Sequence, residues 1–426
     1  MSKENKLALN GGPRTVTGEF PPWPQFDERS FPEILEALKT GKVNYWTGPR
    51  GMEFEKKFAQ WEGVDYGISC TNGTAALHIA ISSLGIGPGD EVIVPSYSFI
   101  ASSFAIVQAG AVPVFCDVTE DHTIDPAGIE ALVTKRTRGI VVVHLYGVVC
   151  DMDPILETAQ KHNLKVIEDC AQCFGGLYKG KKVGSLGDVG CFSFCQSKHF
   201  TTGGEGGMVV TDKEDLAWEC RSFRDHGYDV RERLNLLAME AKLPYIHNRV
   251  GFNFRMTEMQ SIIGIHELAR FDEWNLARRR EYAAMYDKAF ASLPGIRALP
   301  LDSEDRRNAY WWYPMLLDLD KLQCNADDFR EALSAEGVPN FGILWPEAYK
   351  ERAYRELNGF GTAKFPFHSK EYTDPDQVKY TENHCVIANQ LRDCTVSLFL
   401  HPSWEKKHIQ WCIEGVVKVL EHTRVS

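Results

Sequence analysis

The sequence predicts an α/β protein: a large domain built on a mostly parallel sheet, followed by a smaller C-terminal α+β domain. Three observations carry this. Between Tyr66 and Val210, short apolar runs alternate with longer helical stretches, the pattern of βαβ units. The runs are apolar throughout, as strands buried on both faces of a parallel sheet require. After residue 257 the alternation stops and a long helical period takes over.

The elements follow in order. Residues 1–30 carry Gly11, Gly12 and Pro13, then Pro21, Pro22, Trp23 and Pro24, and read as an irregular N-terminal arm. The large domain, 31–256, opens with a helical pattern from Phe31, a turn over 47–51 and a second helix. Strands are expected at Tyr66–Cys70, Glu91–Pro95, Val112–Cys116, Gly139–Val143, Lys165–Glu168, Val189–Ser193 and Gly207–Val210. Helices are expected at Gly73–Leu84, Phe99–Gln108, Pro126–Thr134 and Met152–His162. Thr257 with Gln260 three residues on reads as a capping box. The period then runs through Ile262, Ile265, Leu268 and Phe271 to Tyr286, one long helix leading into a domain spanning 257–426 with strands at Trp311–Leu317 and Thr395–Phe399.

Bulk properties exclude several functions. The net charge is −11, and the one basic run, Arg278–Arg280, reads as a helix face, so no nucleic-acid partner is expected. No apolar run reaches the roughly 18 residues of a membrane span, and the N-terminus lacks the apolar core of a secretory signal. The 12 cysteines are scattered without a spaced framework, which suits reduced thiols and a cytoplasmic location. Cys170 and Cys173 spell CxxC, but no second ligand pair completes a zinc site, so no metal is expected. The pair also lies mid-domain instead of opening a helix after a first strand, against a redox role.

The chemistry gathers around Lys198. It sits in a small Ser/Gly-lined loop between two strand-like runs, where desolvation lowers an amine's pKa and frees it for Schiff-base chemistry. Asp169 ends an apolar strand, placed to pair with the ring nitrogen of pyridoxal phosphate (PLP) and make the ring an electron sink. Gly73 and Thr74 open a helix after a strand, where the amides of Thr74 and Ala75 would hold a phosphate; Ser193 offers a hydroxyl to the same group. Phe99, preferred to Tyr97, would stack on the ring, and Gln172 would bond its phenolic oxygen. The glycines at 203–207 lack dinucleotide spacing and precede a strand, which rules out a nicotinamide loop.

Taken together, Tyr45–Pro49, Asn72–Leu77, Gly87–Ser96, Val143–Gly147, Asp151–Asp153, Ile167–Gln172, Ser193 with Lys198, Gly204–Gly207, Arg224–Gly227 and Gly251–Met256 resemble the DegT/StrS family of PLP-dependent sugar and cyclitol aminotransferases. The resemblance runs nearly end to end and implies the type I aminotransferase fold. It implies that Lys198 forms the Schiff base, that Asp169 pairs with the pyridine nitrogen, and that Gln172 meets the ring oxygen. It assigns Gly73, Thr74 and Ser193 to the phosphate and Phe99 to the ring face. Asn253 resembles a residue that reaches the neighbouring subunit's phosphate, implying a homodimer with shared sites. His144, Tyr146, His199 and Arg255 fall where the family lines its substrate pocket. Val148 and Val149, Cys195 and Gln196, and Phe399 and His401 depart from the family pattern, all at that expected pocket.

The expected activity is ping-pong transamination from L-glutamate or L-glutamine to a keto-sugar or keto-cyclitol. The alternative is a sugar dehydratase of the same fold, in which histidine replaces the lysine; His199 stands one position away.

Overall fold

In the computed structural model of the chain, the described residues are 6–229, 231, 246–297, 302–343, 345–372, 380–382 and 384–425. Seven strands form the large sheet: β1 Tyr66–Cys70, β2 Glu91–Pro95, β3 Val112–Cys116, β4 Thr137–Val143, β5 Lys165–Asp169, β6 Val189–Ser193 and β7 Gly207–Thr211. Their order is β1-β7-β6-β5-β4-β2-β3. Only β7 runs against its neighbours; the other pairings are parallel.

Alternation along these strands builds two cores. Val92, Val94, Val141, Val143 and Ile167 join one apolar cluster, while Ile93, Ile140, Val142 and Val166 join the other. Each fully buried aliphatic side chain of this kind contributes roughly 1.5–3 kcal/mol, so both faces are closed and the ends of the strands are left for chemistry. Four further strands, β8 Ile296–Arg297, β9 Tyr313–Leu317, β10 Asn340–Phe341 and β11 Thr395–Leu398, form an antiparallel sheet ordered β8-β9-β11-β10. The helices Ala326–Ala335 and Lys406–Thr423 pack together behind it.

Some elements differ from the sequence reading, each for a visible reason. The helix expected from Phe99 begins at Ala101. The one expected over 126–134 makes a single α-turn, Pro126–Ile129, capped by Asp125, then a 3-10 turn. Thr257 and Gln260 do form the capping box, but the long helix is not uniform: a π-helical turn, Phe271–Leu276, separates Glu258–Ala269 from Ala277–Phe290. The strand expected from Trp311 starts at Tyr313, because the amides of Trp311 and Trp312 donate instead to the Tyr146 carbonyl, at 2.8 and 3.3 Å.

That last contact joins the two sheets. Ala309 also donates to the Gly147 carbonyl at 2.8 Å. Gly147 has φ +88°, and a Cβ there would lie 2.5 Å from the Tyr310 nitrogen. Gly147→Ala is therefore expected to lower the thermal midpoint, since the left-handed backbone alone costs about 1–2 kcal/mol before the Tyr310 backbone is displaced. Calorimetry reads the midpoint, and near-UV circular dichroism reads the displaced Trp311–Trp312 pair.

Candidate active site

A cavity of about 880 Å³ opens where the C-terminal ends of the central strands meet the second sheet, the place where α/β sheets bind ligands. Val143, Asp169, Cys191 and Ser193 come from the ends of β4, β5 and β6. Ser98 and Phe99 follow β2. Trp311, Phe341, Phe399 and His401 come from the C-terminal half, and Phe20 and Trp23 from the N-terminal arm.

Lys198 and Asp169 both line this cavity. Burial pushes the Lys198 amine down to about 8, against the pull of Asp169. Its Nζ lies over the Trp311 ring, 4.1 Å from the centroid. Burial raises the Asp169 carboxyl, while a 2.7 Å bond from Ser102 Oγ, a 3.1 Å bond from the Ala171 amide and the Lys198 charge pull it back. Ser102 has donated its proton to Asp169, so the 2.9 Å contact with Ser98 has Ser98 as donor.

Asn72 caps the helix Gly73–Ser83 by accepting from the Ala75 amide at 2.8 Å. This corrects one expectation: the Ala75 amide is spent on the cap, and Gly73 and Thr74 present the first-turn amides to the cavity. A Cβ on Gly73 would lie 2.6 Å from Ser193 Cβ, so glycine here keeps a cradle open between helix and strand. Gln172 Oε1 accepts from the Tyr146 amide at 2.8 Å, which leaves its NH₂ as the ligand-facing donor, the polarity a phenolate oxygen needs. Phe99 is 46% exposed at the cavity and 5.6 Å from Trp345. A buried amine, a carboxylate in the same cavity, free amides at a helix N-terminus and an exposed aromatic ring fit PLP.

Several predicted residues are placed elsewhere. His144, Tyr146, His199, Arg255 and Asn253 are not among the cavity-lining residues. His144 is fully buried: its Nδ1 accepts from the Cys150 amide at 3.1 Å, so Nε2 carries the proton it shares with Glu168, also 3.1 Å away. Tyr146 shares a short hydroxyl bond with Tyr97 and stacks on Trp312. His199 Nε2 donates to the Ala309 carbonyl at 3.0 Å, and burial holds its ring neutral. Lys198, not His199, faces the cavity, which removes the basis of the dehydratase alternative. Arg255 pairs with Asp225. Asn253 is exposed, its backbone bridged to Asp225. Of the departures from the family pattern, Cys195, Gln196, Phe399 and His401 line the cavity, but Val148 and Val149 are packed in the cores.

Sequence reading missed Ser102, which looks like any helix serine until its strand neighbour is known. It also missed Phe20, Trp23, Trp311 and Trp345, which no local pattern marks as cavity residues. His144, Glu168 and Cys170 cluster closely enough to suggest a metal. However, Glu168 accepts four bonds, from the amides of Gly184, Leu186 and Gly187 and from His144. Its lone pairs are filled and the facing His144 nitrogen is protonated, so the cluster is a hydrogen-bond network. Burial raises both thiols of the CxxC pair, away from the thiolate that redox chemistry uses.

The sequence model of the DegT/DnrJ/EryC1/StrS aminotransferase family matches residues 24–374. The chain is 42% identical over 324 residues to GDP-perosamine synthase of Caulobacter vibrioides, covering 76% of this chain and 83% of that protein. It is 38% identical over 343 residues to L-glutamine:2-deoxy-scyllo-inosose aminotransferase of Streptomyces fradiae, covering 78% and 80%. An aminotransferase structure from Psychrobacter cryohalolentis matches with a TM-score of 0.84 at 36% identity, covering 95% of this chain and 99% of that one.

The Lys198 environment predicts a pH profile. Its neutral, nucleophilic fraction rises with pH through about 8, whereas exposed lysines titrate near about 10.4. In cofactor-free protein, acylation of Lys198 by limiting acetic anhydride, followed by peptide mass, is expected to be half-maximal near the lower value. A midpoint shared with the surface lysines would contradict the site's dryness.

Proposed function

Because the chain belongs to the DegT/DnrJ/EryC1/StrS family of PLP-dependent aminotransferases, we propose that Lys198, Asp169 and the Gly73 cradle carry amino transfer from L-glutamate or L-glutamine to a keto-sugar or keto-cyclitol. The carrying observation is the depressed amine of Lys198 in one cavity with Asp169. Relatives named for both acceptor classes, a GDP-sugar synthase and a scyllo-inosose aminotransferase, support that breadth.

Bound in this cavity, PLP supplies an electron sink for the pair left behind when a proton leaves the donor's α-carbon. Lys198 would hold the cofactor through Nζ and, once released, would act through the same atom as base and acid for that proton. Asp169 keeps the ring nitrogen protonated, and Ser102 and the Ala171 amide orient its carboxylate. Gly73, Thr74 and Ser193 would hold the phosphate, Phe99 would cover the ring, and Gln172 would donate to its phenolic oxygen. The keto acid leaves before the acceptor enters, so one cavity serves both substrates in turn. Phe399, His401 and the arm residues Phe20 and Trp23 line the acceptor end; burial brings His401 down to about 3, so it acts there as a neutral ring. Behind the cavity wall His144 bonds Glu168, the Tyr146 amide fixes Gln172, and His199 ties the lysine loop to the Ala309 carbonyl.

The same reading keeps the arm at 1–30, the large domain at 31–256 and the C-terminal domain at 257–426. It places the protein in the cytoplasm as a homodimer. Among the described residues, no helix is long and apolar enough to cross a membrane. Asn253 is exposed and outside its own chain's cavity, which suits a residue that completes the partner's phosphate site.

Three outcomes test this. Borohydride reduction of the PLP-loaded protein is expected to label Lys198, and Lys198→Ala to keep noncovalent PLP while losing transamination; label on another lysine would reassign the role. Asp169→Asn is expected to retain fold and cofactor but lose on the order of a hundredfold or more in kcat, since one broken ion pair in a dry site is worth about 3–5 kcal/mol; near-native turnover would remove Asp169 from the mechanism. Finally, inactive Lys198→Ala and Asn253→Asp chains are expected to complement when reassembled. One site of the mixed dimer carries both defects and the other neither, so up to half of normal activity returns. Confirmed heterodimers without activity would place Asn253 outside the shared site.

A further inference from the structure

Trp311 is fixed on every side. Its indole N–H donates to the Ser197 carbonyl at 2.5 Å, its amide donates to the Tyr146 carbonyl at 2.8 Å, and its own carbonyl accepts from Arg279 Nη1 at 3.0 Å. One ring face is stacked on Trp312, with centroids 4.0 Å apart and planes 13° from parallel. Lys198 Nζ lies 4.1 Å from the Trp311 centroid. Two groups this close cannot share a face, so the amine and Trp312 lie on opposite sides of the ring.

We propose that the free face of Trp311 is the seat of the Lys198 ammonium whenever that amine is not bonded to cofactor, which makes Trp311 a catalytic residue of the proton transfer. The proposal rests on the reading of Lys198 as the cofactor lysine. In the transfer, the amine takes one proton from the donor's α-carbon, carries it as an ammonium, and releases the same proton at the receiving carbon. A carboxylate seated against the ammonium would hold the proton in a hydrogen bond. An indole face attracts the charge through its quadrupole and offers no lone pair to take the proton. The charge is stabilised and the proton stays deliverable.

The surroundings are consistent with that division of labour. Asp169 and Cys195 are the charged or titratable groups that favour the ammonium, and burial opposes them. Glu205 and His401 also line the cavity, the latter neutral, and His199 beside the lysine is neutral as well. The π-helical turn holds the arrangement: Asn275 donates to the His199 carbonyl and accepts from Arg279 Nε at 2.7 Å, while Arg279 Nη1 grips the carbonyls of Tyr310 and Trp311. Lysine loop and tryptophan are thus clamped by one pair of side chains. Single π-turns inside α-helices are frequent at functional sites.

The test compares wild type, Trp311→Phe and Trp311→Leu in the pyridoxamine phosphate form, where cofactor is bound and Lys198 is free. The readout is the midpoint of Lys198 acylation against pH, by peptide mass. If Trp311 merely excludes water, truncating it admits water and the midpoint rises toward the exposed-lysine value of about 10.4. If its face stabilises the ammonium, the midpoint falls. A shift of about half to one and a half pH units is expected for leucine, with a smaller fall for phenylalanine, whose face binds cations less well. Should the leucine variant not fold, the phenylalanine variant must still move downward. An unchanged or raised midpoint in a folded variant overturns the proposal. Borohydride labelling of a lysine other than Lys198 in PLP-loaded wild type would defeat the underlying reading instead, so the two failures are distinguishable.

Discussion

One strand register decides this site. Val143, Asp169 and Cys191 stand opposite one another across β4, β5 and β6, and all three line the cavity. Side chains alternate along a strand, so Ser193 joins the same face two residues beyond Cys191. A slip of one residue in β5 would turn Asp169 into the core and lift Glu168 into the cavity. Glu168 is instead locked below by four donors, three of them backbone amides of the 184–187 segment. Those bonds specify the register far more tightly than strand propensity would. The acid that faces the cavity is held in place by the acid that does not.

The second requirement is that the C-terminal half close over this face. Its link is backbone to backbone: the carbonyls of Tyr146 and Gly147 receive the amides of Ala309, Trp311 and Trp312. Tyr146 sits at φ +58°, unusual for a side-chain-bearing residue. Its hydroxyl is anchored to Tyr97 and its ring is stacked on Trp312. Gln172 takes the Tyr146 amide, so the group proposed for the ring oxygen also senses the turn that positions the tryptophans. Substrate-pocket assignments for His144 and Tyr146 from motif position alone miss this, because motif position does not distinguish a side chain at the wall from one behind it.

What the sequence made legible follows from how local each signal is. Strand and helix spans of the large sheet were readable because apolar runs report burial directly. That Lys198 and Asp169 share a cavity was readable because one stands at a strand's end and the other in the loop after a neighbouring strand, each with a chemically unusual neighbourhood. Ser102 was not, since its role exists only once the 98–102 segment is folded against β5. The late start of β9 at Tyr313 was hidden for the same reason: Trp311 and Trp312 look like strand residues, and only a partner 165 residues upstream (311 − 146 = 165) withdraws them from the ladder. The π-turn leaves no periodicity signal that differs from an α-helix over so short a span.

The charges of the cavity carry one more consequence. Among its lining residues Lys198 is the sole lysine or arginine, while Asp169 and Glu205 both bring negative charge. A bound phosphate adds a dianion to that set, and the helix N-terminus at Gly73 offsets only about half a unit charge. In the role proposed for it Lys198 could not also serve as the phosphate's counter-ion, because its amine would be committed to the cofactor or to the proton. A phosphate bound at that notch would therefore meet hydrogen-bond donors more than charge: the Gly73 and Thr74 amides and the Ser193 hydroxyl. Asn253 is neutral, exposed and bridged through its backbone to Asp225, and Arg255 beside it is already paired with Asp225, so what this segment would offer a second copy is an amide donor and not a charge.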